Sequence, residues 1–441
     1  NFDRVGDLVW FVKNYASLKD ETTLSAETGS RLRKLKETNT FSYKNPALLK
    51  SLLLFGPNGS GKSQLINALS TMERLVTNPT RSVTDKLPYH PFLFNEESKK
   101  DDTFLKIKIE LNNKIYDYSF SYNQERINYE SLILIDDDEK KIIFSRNKDK
   151  VKTSNKILKE STPKLRDNSL FLYLAQSENH PESSTVYKWF AQDLILLGNG
   201  YSPMIPDEYL ELMDNEYLKK EMISFLSFAD FNISDIKVRE TPNSFYEQIF
   251  KRISESLSGD SNIAFPKTRK ELYTIHKTYN GDELVDYGEL PLSRESVGTQ
   301  RLFYIVLAMM LAQTNGNQKT IVIDEFDDSL HVELASALVK IFNSKENLNQ
   351  FILTTHDVQL LDSDLRIDQI YLLDKNFRGI SNLKSIFDFE DARNKGRRDI
   401  SFAKRYLQGK FGAIPVIDVE GLLDVLQMIH EKYGDEDGKK K

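Results

Sequence analysis

The chain has 441 residues, 39% hydrophobic and 29% charged, enough for a sizeable core beneath a heavily charged surface and, at ordinary domain sizes, for two or three folding units. Its 60 basic and 66 acidic residues leave a net charge of -6, which excludes a globally basic nucleic-acid coat; the lack of any cysteine excludes disulfides, thiolate zinc sites, iron–sulfur clusters and a cysteine nucleophile. The longest apolar run, around Ile305–Ala312, falls far short of the ~18 residues a membrane span needs, and no secretory pattern opens the chain, so a cytoplasmic protein with no membrane partner is expected.

Leu8–Val12 reads as a strand, with Asn14–Glu21 as its turn and continuation. Leu49–Phe55 is a mostly apolar run of strand length, the pattern of a strand buried on both faces, and Gln64–Leu75 carries apolar residues at helical spacing. Phe104–Leu111 and Ile115–Tyr122 alternate about an Asn112-Asn113 turn and predict a hairpin; Leu132–Asp136 and Lys141–Ser145 predict another. The lysine-rich stretch Arg146–Asn168 reads as a loop, and Ser169–Asp230 as mostly helical. Ile233–Arg239, Glu271–Tyr279 and Glu283–Tyr287 read as strands, the last two joined by Asn280-Gly281.

From Leu292 onward helix and strand alternate: helix Thr299–Gln313, strand Thr320–Ile323, helix Val332–Asn343, strand Gln350–Thr354, strand Gln369–Asp374. That order predicts an α/β fold with a parallel sheet. No heptad run marks a long coiled-coil arm, and the tail from Gly434 reads as disordered.

Gly56-Pro57-Asn58-Gly59-Ser60-Gly61-Lys62-Ser63 fits the phosphate-binding pattern G-x-x-x-x-G-K-[ST] in full, with a buried strand before it and an amphipathic helix, opening at Gln64, behind it. A Gly-rich turn that merely holds Lys-Ser has no reason to sit in that context. The glycines let backbone N–H groups of Gly56, Asn58, Gly59, Ser60, Gly61, Lys62, Ser63 and Gln64 turn toward phosphate oxygens at a helix N-terminus, with the Lys62 ammonium on the β- and γ-phosphates of ATP and the Ser63 hydroxyl on Mg²⁺.

Thr320–Ile323 then ends in Asp324-Glu325, where Asp324 can hold Mg²⁺ through water and Glu325 can orient the water that attacks the γ-phosphate. Acidic pairs after strands are common; beside a phosphate loop this one gains meaning. His356 directly follows the next strand and can hydrogen-bond a γ-phosphate or the attacking water, although taken alone such a His more often caps or packs. Glu295–Arg301 opens a helix, and Ser296 and Gly298 offer a hydroxyl and backbone amides suited to an anion, although taken alone an ordinary N-cap followed by a helix is the favoured reading.

The order of these motifs resembles ABC-type ATPases, in which two heads sandwich two ATPs and each supplies its partner's Ser-x-Gly. In particular the chain resembles the stand-alone ABC-type ATPases of phage-defence (abortive infection) systems, the AbiL and PARIS ATPase subunits and their OLD-like and SMC-like relatives. Four phrases carry the resemblance: Asn14–Glu21, Glu295–Arg301, Asp324–His331 and Tyr406–Pro415. His331 stands where transporter and SMC-type heads have Asp, as in the OLD-like form. The glutamine of the family's Q-loop has two candidates, Gln124 and Gln176.

The resemblance implies an ATPase head of mixed sheet with an antiparallel lobe, divided as an N-terminal lobe over 1–145, a largely helical insertion with returning strands over 146–290, and a C-terminal lobe over 291–434 before a tail. It also implies Mg²⁺-dependent ATP hydrolysis by Glu325 and His356, a homodimer or higher oligomer, and a Toprim- or RloB-type effector nuclease on a separate chain.

The basic clusters Lys140-Lys141, Arg146–Lys159 and Arg393–Arg398 are candidate contacts to a nucleic-acid backbone, with solvated surface charge the favoured alternative. Val416–Asp424 resembles the first strand of a Toprim nuclease, but the chain offers no second strand with the partner acids, so Glu420 is read as structural. The expected function is thus an ATP-driven sensor and regulator of a partner effector in anti-phage defence. The alternative is an SMC- or RecF-like ATPase that clamps DNA.

Overall fold

A computed structural model describes residues 9–29, 32–41, 47–136, 139–198, 210–228, 232–242, 268–314, 318–389, 401–412 and 419–433. Leu8, Arg393–Arg398 and the tail from Gly434 lie outside the described residues. The apolar run before the phosphate loop forms strand Ser51–Phe55, every residue of it buried. Side chains alternate across a strand, so Leu52 and Leu54 pack into one core and Leu53 and Phe55 into another. This is why the sequence shows continuous rather than alternating hydrophobicity.

That strand lies inside a six-stranded sheet, in the order Leu194–Leu197, Thr320–Ile323, Gln350–Thr355, Ser51–Phe55, Ile370–Lys375 and Ser381–Ser385. The first five are parallel and the last is antiparallel to its neighbour. Parallel pairing puts the C-terminal ends of the strands on one edge, where Gly56, Asp324 and His356 all follow their strands directly. Leu194–Leu197 comes from within the stretch expected to be a largely helical insertion, and supplies an edge strand of this sheet.

One face of the sheet carries helix Lys62–Thr77 through Leu65, Leu69 and Met72, and with it a seven-stranded sheet ordered Lys150–Thr153, Glu139–Asn147, Ile127–Asp136, Lys114–Tyr122, Thr103–Leu111, Val9–Lys13 and Thr22–Ser25. The expected hairpin turn is present, with Asn112 and Asn113 at φ 55° and 62°, the conformation a two-residue hairpin loop requires. The other face packs on helix Val297–Thr314 through Leu302, Phe303 and Val306. The fold is therefore α/β, a mixed sheet with an antiparallel lobe, as the resemblance implies. A third sheet, Asp235–Pro242, Thr268–Asn280 and Glu283–Pro291, stands before that helix.

Two expectations are corrected. Arg146–Asn168 is not a loop: it holds strand Lys150–Thr153 and helix Lys156–Ser161, capped by the Asn155 side chain on the Leu158 amide. Its first residue is no phosphate contact, because Arg146 is 1% exposed and donates to the carbonyls of Ser169 and Lys148 at 2.6 and 2.8 Å. Beside it Glu130 is fully buried, accepting from the amides of Phe171 and Leu172 and the Tyr118 hydroxyl; burial pushes its carboxyl up and the Arg146 charge pulls it back. The second correction is Val416–Asp424: its described part belongs to helix Val419–Tyr433, so Glu420 lies on a helix rather than a Toprim-like strand.

Among the described residues no helix is long and apolar enough to cross a membrane. Between Ser63 and Ser296 the longest described helix after the phosphate-loop helix is Glu216–Phe228, 13 residues, so no coiled-coil arm is present among the described residues.

Candidate nucleotide site

Helix Lys62–Thr77 starts from Gly61 at φ 109° with no side chain capping it, which leaves its first turn of amides facing the loop. Only glycine suits this position, since an added Cβ would also strike the hydroxyls of Ser381 and Ser17. Ser60 is 2% exposed and its Oγ meets no hydrogen-bonding group. Lys62 is buried, and its ammonium donates to the loop's own carbonyls, Gly56 O at 2.6 Å and Pro57 O at 3.2 Å. Burial pushes the Lys62 ammonium down, while Glu325, Asp324 and Asp327, in that order, pull it back up. The loop thus offers an uncapped helix end, a spare buried hydroxyl and a buried cation, which is the donor set a polyphosphate needs.

The carboxylates are held by residues far away in the chain. Asp324 is 5% exposed and accepts from the Thr354 hydroxyl at 2.5 Å. Glu325 sits at φ 48°, a left-handed conformation costing a non-glycine residue on the order of 1–3 kcal/mol unless its surroundings impose it. They do: its amide donates to Thr354 Oγ1 at 2.6 Å, and the buried Arg301 guanidinium donates to its carbonyl at 2.6 Å and also to that of Asp324. Asp327 is a third acid of the group, buried, with Oδ1 lacking a hydrogen-bonding partner; burial raises its pKa against the Thr355 hydroxyl and the adjacent His356. The Lys62 ammonium and the buried Arg301 guanidinium face three carboxylates, so the protein alone does not balance the site once the charges of a polyphosphate are added. Asp324 and Ser63 would hold Mg²⁺, which would supply the missing positive charge. Among the described residues no cluster of three or more His, Asp or Glu side chains can hold a metal on its own.

His356 lies exposed at the end of strand Gln350–Thr355, beside Asp327. Ser296 is exposed too, and caps its helix, accepting from the Thr299 amide at 3.1 Å and sharing a hydrogen bond with the Thr299 hydroxyl at 2.7 Å. Gly298 is buried with its backbone against the Ser329 carbonyl, which an added Cβ would approach to 2.5 Å. The hydrogen bonds of Ser296 stay within its own helix start. The structure therefore gathers Gly56–Gln64, Asp324, Glu325 and His356 along one sheet edge and leaves Ser296 facing outward.

The Q-loop candidates separate: Gln124 is exposed in the turn between strands Lys114–Tyr122 and Ile127–Asp136, and Gln176 is on helix Phe171–Ser177. His331 is a helix cap, its Nδ1 accepting from the Glu333 amide. Nothing in the sequence alone marks Arg301, Thr354 or Asp327 as site residues. Their parts rest on contacts to backbone or to residues 23 to 30 positions away, which leave no local pattern.

Residues 51–362 match the model of the family described as AAA domain, putative AbiEii toxin, Type IV TA system, a span running from the phosphate-loop strand to past His356. The chain belongs to this family. It is thus an AAA/ABC-type P-loop ATPase domain, with the nucleotide site that class implies. No curated protein sequence matches the chain. Similar solved structures include the SMC head domain from Thermotoga maritima, at 12% identity over 86% of this chain and 99% of that one, with a TM-score of 0.37. An SmcHead bound to the C-winged helix domain of ScpA is 10% identical over 88% and 100%, with a TM-score of 0.42. A Pyrococcus furiosus Smc head with an extended coiled coil, bound to the C-terminal domain of ScpA, is 11% identical over 86% and 96%, with a TM-score of 0.39.

Proposed function

We propose that this chain is a Mg²⁺-dependent ATP hydrolase whose active form is at least a dimer, closed around ATP and controlling a separate effector. The observation that carries the hydrolase reading is Glu325, forced by Arg301 and Thr354 into a costly backbone conformation beside the buried Lys62. In this reading the Gly56–Ser63 amides and Lys62 bind the phosphates, and Glu325 orients a water and takes its proton. His356, at the strand end, is placed to hydrogen-bond the γ-phosphate. Ser63 and Asp324 would hold Mg²⁺, which would supply positive charge against the phosphates.

Asp324→Ala should weaken binding of Mg·ATP far more than binding of ATP in EDTA, both measured by calorimetry. Equal losses in the two titrations would remove Asp324 from the metal shell.

Two features support an effector-controlling role over DNA clamping. The family's description includes a type IV toxin–antitoxin system. The described residues between the two halves of the site hold short helices and strands, a shape for gripping a partner protein rather than bridging distant DNA. Tagged chain captured from its native host should bring down a Toprim- or RloB-type nuclease. Recovery of DNA alone, released by nuclease treatment, would favour the clamp.

A further inference from the structure

The residue before Ser296 is built differently from its neighbours. Ser293, Arg294, Ser296 and Val297 are exposed, whereas the Glu295 side chain is folded inward and only 10% exposed. A carboxylate is costly to bury unless donors meet it. Two donors from strand Thr268–Asn280 do so at one atom: the hydroxyl of Thr274, itself 1% exposed, and His276 Nε2 at 2.6 Å both face Glu295 Oε1. A carboxylate only accepts, so His276 presents an N–H here. The main chain is held as well, with the Glu295 amide donating to Leu292 O at 3.1 Å and its carbonyl accepting from the Gln300 side chain at 2.8 Å. Position 295 is fixed through amide, carbonyl and side chain, and with it the point where the chain enters the helix at Ser296.

The other end of this tether lies at the root of a hairpin. Strands Thr268–Asn280 and Glu283–Pro291 pair antiparallel; Leu272, Thr274 and Ile275 are buried, whereas every residue from 277 to 289 is exposed. A helix cap needs none of this. Ser296 caps its helix through its own hydroxyl, and the Thr274 hydroxyl has a second acceptor in Leu290 O at 3.1 Å. An outward-turned Glu295 would leave the cap intact and Thr274 satisfied, so the inward carboxylate does something the cap does not require.

We propose that Glu295 is a positioning residue for a site shared between two chains. Held by Thr274 and His276, it fixes Ser296 and Gly298 in the orientation in which they meet the nucleotide of a partner copy, and it anchors that half-site to the root of the hairpin. It acts on the half-site a chain lends, not on the phosphate loop it keeps. This rests on the dimer closed around ATP proposed above, with each chain lending its Ser296.

Glu295→Ala should lose on the order of 10- to 100-fold in ATPase rate, the cost of a misplaced group in a shared site. Glu295→Gln keeps an oxygen that accepts from Thr274 and His276, and should retain most of the rate. Mixing the full-length mutants shows where the lesion acts. Equal amounts of Glu295→Ala and Lys62→Ala should regain about a quarter of the wild-type rate, since half the dimers are mixed and one of their two sites is intact. Glu295→Ala with Ser296→Arg should gain nothing, because both lesions lie in the lent half-site and every site then carries one. A chain that merely misfolds is rescued by neither. Three results overturn the role of Glu295 alone: full activity in Glu295→Ala, a Glu295→Gln as slow as Glu295→Ala, or a mixing pattern unlike that of Ser296→Arg, which should itself recover with Lys62→Ala. If Ser296→Arg and Lys62→Ala do not recover together, the shared-site reading fails and takes this inference with it.

Discussion

Replacing Glu325 by Gln should lower ATP turnover by roughly 10²-fold or more while ATP binding persists, because a glutamine keeps the size and hydrogen bonding of the side chain and loses its basicity. The backbone is not what this substitution probes. Gln has the same Cβ, so φ 48° costs it the same, and the Arg301 and Thr354 contacts are to main-chain atoms of position 325. Removing one of three carboxylates near Lys62 also leaves the buried ammonium with two acids, Asp324 and Asp327, so the phosphate loop keeps its electrostatic setting. Steady-state phosphate release and an ATP binding isotherm on the same preparations separate the two quantities. Equal turnover in wild type and Glu325→Gln would take Glu325 out of the reaction.

The strands and helices that build the site were legible because their hydrophobic patterns are local. Ser51–Phe55 announces itself by an unbroken apolar run, and Thr320–Ile323 by four residues ending in acids. The errors have local causes too. Lys150–Thr153 alternates exposed lysines with half-buried residues on a sheet edge, where charge is favoured, so its composition imitates a loop. Val419, Leu422, Leu426 and Ile429 follow helical spacing, and that period prevails over the β-branched start of the phrase that suggested a strand. What holds the geometry of the candidate site was not legible at all. Arg301 acts on carbonyl oxygens, which every residue possesses, and Thr354 reaches Asp324 only after the sheet has set two strands side by side.

In the proposed dimer, one chain's Ser296 and Gly298 complete the site built by another chain's phosphate loop. Ser296→Arg should abolish ATPase activity by placing a bulky side chain where the partner's γ-phosphate enters. The lost N-cap costs only about 1 kcal/mol, too little to unfold a protein of ordinary stability. Lys62→Ala should be inactive for a different reason, since the β/γ charge goes unneutralised and nucleotide is not held. In a dimer of one mutant with the other, one composite site carries both lesions and the second carries none. The direct measurement is therefore ATPase activity after mixing equal amounts of the two purified, inactive mutants and allowing them to exchange. With half the dimers mixed and one intact site of two in each, activity should return to about a quarter of the wild-type rate. A mixture no more active than either mutant alone would contradict the shared site.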